Sequence, residues 1–169
     1  MTIDEISARL EIQDVLFRYC RGVDRGDLEM IRSVYHPDAI DDHGSTASLG
    51  HEFAAKLVER LDEARSIGQR HITNVLIELN GGSAKVESYF ISFVPDTNPT
   101  TGERTISFVN GRYLDRFEKR AEGWKIAHRK VVLDWSEQGG TATPWARIAQ
   151  FEVGGRREAD PSYAFFHSR

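Results

Sequence analysis

The sequence predicts an α+β protein, with helices first and a mainly antiparallel sheet after them. Three observations predict it. Apolar residues repeat at helical spacing up to about residue 66. The period drops to two after residue 69. The strand-like runs are then joined by short turn sequences, "NGG" at 80–82 and "AEG" at 121–123, which suit hairpins.

The elements follow in order. Thr2 and Glu5 have capping-box spacing, so a first helix is expected over about residues 3–22. Its apolar stripe has two lines. One runs Ile3, Ile6, Leu10, Gln13, Phe17 and the other Ile12, Leu16, Tyr19, Val23. Gly22 is the expected stop. Asp27 reads as the N-cap of a short second helix bearing Leu28, Ile31, Val34 and Tyr35, which Pro37 ends. "DAIDDHGSTASLG" reads mostly as loop, with room for a short strand. A third helix is expected over about 50–66, with Phe53, Leu57 and Leu61 on one line and Gly68 at its end. Four strands follow, "RHITNVLIEL", "SAKVESYFISFV", "RTISFVNGRYLDRFEKR" and "GWKIAHRKVVLDWSE". The last carries apolar residues on both faces, so the sheet should be partly covered on both sides and the protein a homo-oligomer. Residues 1–137 make one domain. Residues 138–169 form an irregular extension whose Trp145, Phe151, Tyr163, Phe165 and Phe166 imply packing on its own domain or on a partner subunit.

Composition excludes several classes. The net charge of -4, with both signs interspersed, argues against a nucleic-acid surface. No apolar run reaches the length of a membrane span, and the N-terminus lacks the pattern of a secretory signal. One cysteine, Cys20, fits a reducing cytoplasm. Phosphate-binding and dinucleotide glycine loops, CxxC, HExxH and GxSxG are all absent, so no cofactor and no metal are expected.

What is left is a set of proton-transfer groups. Asp24, in "YCRGVDRGDL", follows the expected end of the first helix, where the dipole disfavours a carboxylate. It is either a turn residue paired with Arg21 or Arg25, or part of a site. His71 opens the first long strand on the face expected to hold Thr73, Val75 and Ile77. It is either a satisfied core residue or a general base, its imidazole fixed by a carboxylate such as Asp24. Arg129 is either a surface cation or one that receives a leaving group or oxyanion. His36, Asp38, Asp41, Asp42 and His43 crowd one stretch, but their spacing matches no named metal site, and a solvated loop is the default.

Together, "YCRGVDRGD", "IRSVYHPDAIDDHG", "RHITNV" and "NGRYLDRFEKRAEGWKIAHRKVVLDWS" resemble the SnoaL-like family of the NTF2-like superfamily, in its dehydratase and dehydrochlorinase branches. The resemblance covers about residues 3–137. It implies an NTF2-like cone-shaped barrel, with three N-terminal helices packed on a strongly curved mixed sheet around a deep pocket. It also implies homodimers or homotrimers built on the outer sheet face. It assigns catalytic roles to Asp24 and His71 as a dyad, to Arg129 and to Tyr19, and makes Tyr35 and Asn110 substrate-binding counterparts. Phe53, Leu57, Val75, Phe108 and Val131 complete an apolar lining. The function implied is a cofactor-independent lyase, or an isomerase, acting on a small hydrophobic ring compound. The alternatives are a non-catalytic binding or accessory subunit, such as the small subunit of a ring-hydroxylating dioxygenase, and a metal-dependent hydrolase using residues 36–43.

Overall fold

The structure, a computed structural model, describes residues 1–44, 46–64, 67–97, 100–141 and 156–159. Helix α1 spans Ile3–Arg25 and opens on the expected capping box: the Thr2 hydroxyl accepts from the Glu5 amide, and the Glu5 carboxylate accepts from the Thr2 amide. The helix does not stop at Gly22. It runs one turn further to Gly26, which takes the left-handed conformation (φ 63°) that ends it. Gly22 serves a different purpose. A Cβ there would meet Ile31 Cγ1 at 2.9 Å, so the missing side chain lets the second helix lie close. Of the two apolar lines, only Ile12, Leu16, Tyr19 and Val23 are buried, while Ile3, Ile6, Leu10 and Phe17 are exposed.

Helix α2, Leu28–Ser33, is capped by Asp27 as expected, its carboxylate accepting from the Met30 amide at 2.9 Å. It ends before Pro37, because the chain is already extended from Tyr35. Strand β1, Tyr35–Asp42, takes most of the segment expected to be loop, and β2, Ala47–Leu49, pairs with it. Pro37 is tolerated because the pairing is irregular between Tyr35 and Ile40, so no ladder bond is asked of it. Helix α3 spans Gly50–Ala64.

The remaining strands are β3 (Gln69–Asn80), β4 (Ser83–Thr97), β5 (Arg104–Arg120) and β6 (Gly123–Thr141). The sheet order is β2-β1-β6-β5-β4-β3, antiparallel except for the parallel β1·β6 pair. The three helices pack on the curled sheet without closing it, which is the α+β architecture that the sequence predicts and the cone that the family resemblance implies. Edge strand β3 is shielded by α1, where Arg9 Nη1 donates to the Ile77 carbonyl at 3.0 Å. No described helix is long and apolar enough to cross a membrane.

Within the C-terminal extension, residues 156–159 rest against the helix ends. Arg156 donates to the Leu61 carbonyl at 2.5 Å, and Arg157 donates to the Gly26 carbonyl at 2.9 Å and to Asp62 at 2.7 Å. The aromatic residues of the extension lie outside the described residues.

The β5·β6 contact is tightest at Gly111, beside a register shift. A Cβ there would collide with the backbone carbonyl of Val132. Gly111→Ala should destabilise the fold by about 1–3 kcal/mol, the usual range for overpacking. Thermal unfolding should show a Tm several degrees lower; an unchanged Tm would mean that β5 and β6 are not this close.

Candidate active site

The concave sheet face, α1 and α3 enclose a cavity of about 390 Å³. Phe53, Leu57 and Val131 line it as expected, with Tyr19, Phe90 and Tyr113. Val75 faces inward but belongs to the packed core rather than the lining. Phe108 and Asn110 do not face the cavity. Strand alternation decides this: with Val109 and Tyr113 inward, Phe108 and Asn110, which flank Val109, point out. The Phe108 ring instead meets the Phe93 ring edge-on at 5.1 Å on the outer face.

The same logic, plus one irregularity, relocates His71. The β3·β4 register shifts between Ile72 and Val75. This bulge places both Thr73 and Asn74 outward, so Ile72 and Val75 are both inward. His71 therefore does not share a face with Val75 and Ile77; it is exposed, pairs with Ile91 and meets the Phe93 ring edge-on at 5.8 Å. Arg70 takes the inward place. Its amide donates to Asp24 Oδ2 at 3.0 Å and its Nη1 to Oδ1 at 2.9 Å. Asp24 is thus held by Arg70; it lines an open cleft of about 420 Å³ together with His71, and no hydrogen bond joins the two among the described residues. Burial raises the Asp24 carboxyl above its ordinary value, against the pull of Arg70.

Arg129 is fully buried. Its Nε and Nη2 make a bidentate pair with Asp115 at 2.8 and 2.7 Å. The guanidinium lies 4.2 Å from the centre of the Tyr19 ring and 4.0 Å from that of Tyr113. Burial works against its charge, but Asp115 keeps it raised well above the usual arginine value. Burial likewise pushes the Tyr19 phenol up to about 12, with Arg129 opposing, and raises Tyr113. Both phenols stay protonated at neutral pH and can donate hydrogen bonds into the cavity.

One pair was missed in the sequence. Asp41 is buried at the end of β1, where Tyr35 donates its hydroxyl to Oδ2 at 2.5 Å. His43 Nε2 lies 2.6 Å from the other oxygen, off the line of its N–H. The imidazole stacks on Phe53 (4.6 Å between centroids) and lines the cavity. Tyr35, expected to bind substrate, thus serves the carboxylate that holds this histidine. The rest of the 36–43 stretch disperses: His36 contacts the Glu118 carbonyl, Asp38 pairs with Arg120, and Asp42 accepts from the Gly44 amide. Among the described residues, no group of three or more His, Cys, Asp or Glu could hold a metal. The signal available in the sequence was the two-residue spacing of Asp41 and His43, which puts them on one side only if the chain is extended there.

Residues 4–130 match the SnoaL-like domain. The chain belongs to the SnoaL-like family. No curated protein matches it in sequence. Among solved structures, this SnoaL-like chain is similar to a protein from Novosphingobium aromaticivorans provisionally named a scytalone dehydratase, with 20% identity, TM-score 0.73, and 87% of this chain and 99% of that one covered. It is similar to the hexachlorocyclohexane dehydrochlorinase LinA type 2, with 17% identity, TM-score 0.73, and 85% and 98% covered. A protein provisionally named an aromatic ring hydroxylase, also from N. aromaticivorans, is 26% identical with TM-score 0.67, over 80% of this chain and 94% of that one. The likeness to the first two shows the fold.

The Arg70–Asp24 pair supports a stability test. Removing the cation strands a carboxylate in a largely buried place, at a cost of about 3 kcal/mol in Arg70→Met. Asp24 is raised relative to the unfolded chain, so its burden on stability is present above the folded value and vanishes below the unfolded one, 3.8. The Tm deficit of Arg70→Met should be largest at neutral pH and shrink as the pH falls toward that value. A deficit independent of pH would remove Asp24 from the explanation.

Proposed function

We propose that this SnoaL-like protein is a cofactor-independent lyase or isomerase acting on a small cyclic compound, with His43 as its base. The supporting observation is the contact of His43 with buried Asp41 at the wall of a cavity whose opposite polar groups are the phenols of Tyr19 and Tyr113. Nε2 lies beside the carboxylate and aligns with it when the substrate is bound, and Nδ1 accepts a proton from carbon. The carbon's electron pair moves into a new double bond. It either expels a leaving group, as in elimination, or forms an enolate, which is reprotonated at another carbon in isomerisation. Asp41 stabilises the imidazolium, and the Tyr35 hydroxyl holds Asp41 in place. Tyr19 and Tyr113 donate to the oxygen on which charge develops, and Arg129 behind both rings favours that charge. The base expected from the sequence, His71, is replaced in this reading by His43.

The test is deuterium wash-in from solvent, or elimination, over a panel of ring ketones and β-hydroxy ketones followed by NMR. His43→Gln should lower kcat by about 10²- to 10⁴-fold, the usual contribution of a general base. His71→Ala, outside the cavity that His43 lines, is the matched control and should retain the rate. Full activity in His43→Gln would sink the proposal. Binding without exchange across the whole panel would instead favour a ligand-binding or accessory role.

We also propose self-association through the outer sheet face, where Leu76, Tyr89, Ile91 and Trp135 are exposed. Light scattering at micromolar concentration should give a multiple of the 19.2 kDa chain mass; a monomer would contradict it.

A further inference from the structure

The cavity contains polar groups that the proposed proton transfer does not use. Ser92 lies on its inner wall with 3% exposure, and its hydroxyl has no hydrogen-bond partner among the described residues. An unpaired buried hydroxyl costs about 1–3 kcal/mol. Such a group is retained at low cost only if something else pairs with it. Arg70 is its direct cross-strand neighbour on the same face, about 5 Å away at Cβ by sheet geometry. Only the Arg70 amide and Nη1 are engaged with Asp24; the other guanidinium donors make no hydrogen bond among the described residues. Ser92 and Arg70 therefore offer adjacent donors toward the same space.

Charge points the same way. Among the described residues, the titratable groups lining the cavity are His43, Arg60, Arg70 and the two phenols, with no carboxylate. Asp24 offsets Arg70 from behind, but Arg60 has no ion pair among the described residues. Arg60 and Lys56, one helical turn apart on α3, also border the adjoining mouth. An apolar cavity with donors on one wall and cations at its entrance fits an amphipathic anion.

We propose that the substrate is a ring compound bearing a carboxylate, its two oxygens received by the Ser92 hydroxyl and the Arg70 guanidinium, with Arg60 guiding it at the mouth. The proposal deepens the function proposed above, and rests on it for the reaction but not for the binding. The Ser92–Arg70 wall anchors the acid group, and the ring lies across Phe53, Leu57 and Val131 toward His43. Ser92 is then a specificity residue that separates acids from their neutral analogues.

Isothermal titration of the full chain with 2-naphthoate, its methyl ester and naphthalene tests this. The wild type should bind the acid at least about tenfold more tightly than the ester. Ser92→Ala and Arg60→Gln should each weaken acid binding by roughly tenfold, the scale of one charge-assisted hydrogen bond, with ester binding unchanged. Removing an orphan hydroxyl should leave the Tm of Ser92→Ala equal to the wild type or higher, which a merely structural serine would not do. Equal affinity for acid and ester, no binding of the acid up to millimolar concentration, or an unchanged preference in Ser92→Ala would each overturn the proposal. The two proposals separate in His43→Gln: a preserved acid preference there supports this subsite whatever happens to turnover, and a lost preference counts against it.

Discussion

The buried pair Arg129–Asp115 is the constraint around which the interior is arranged. The pair joins β6 to β5 by two hydrogen bonds, and its cation faces the rings of Tyr19 from α1 and Tyr113 from β5. Arg129 is also the backbone partner of Asp41 in the parallel β1·β6 ladder, which aligns the Tyr35–Asp41–His43 chain beside it. Two charges this deeply buried are tolerable only as a pair; each alone would carry a desolvation cost of several kcal/mol. The pair therefore ties β5 to β6 directly behind the two phenols that border the cavity.

A second consequence concerns protonation. Desolvation raises both phenols and the Cys20 thiol, the thiol to about 12. The interior therefore contains donors that keep their protons and a thiol that is no nucleophile. The histidine stands apart because it sits at the edge of the cavity, partly exposed, with a carboxylate on one side and an aromatic face on another.

The order of elements was legible because a period of 3.6 and a period of two are different patterns, and because "NGG" and "AEG" mark turns locally. Asp27 was legible because an N-cap reaches only to the third residue beyond it. Gly22 and Gly26 could not be told apart, since the choice depends on the approach of Ile31 from another helix. β1 was hidden by Pro37 and its acids, which look like loop until β6 is there to pair with them. His71 was misplaced because a bulge is a backbone event that no side-chain alternation announces. Asp41 and His43 were noticed as chemistry but grouped with the wrong neighbours. The family resemblance carried the fold and, of the cavity lining, Tyr19, Phe53, Leu57 and Val131, but not the partners that Asp24 and Asp41 meet.

The bulge in β3 also sets the polarity of one cavity wall. Arg70 and His71 are adjacent, and the backbone decides which of them meets Asp24. If the same strand paired without its bulge, the imidazole would turn in and the guanidinium out. The inward place would then hold an imidazole ring instead of a guanidinium. One irregularity of one residue thus selects which of two neighbouring side chains faces the cavity.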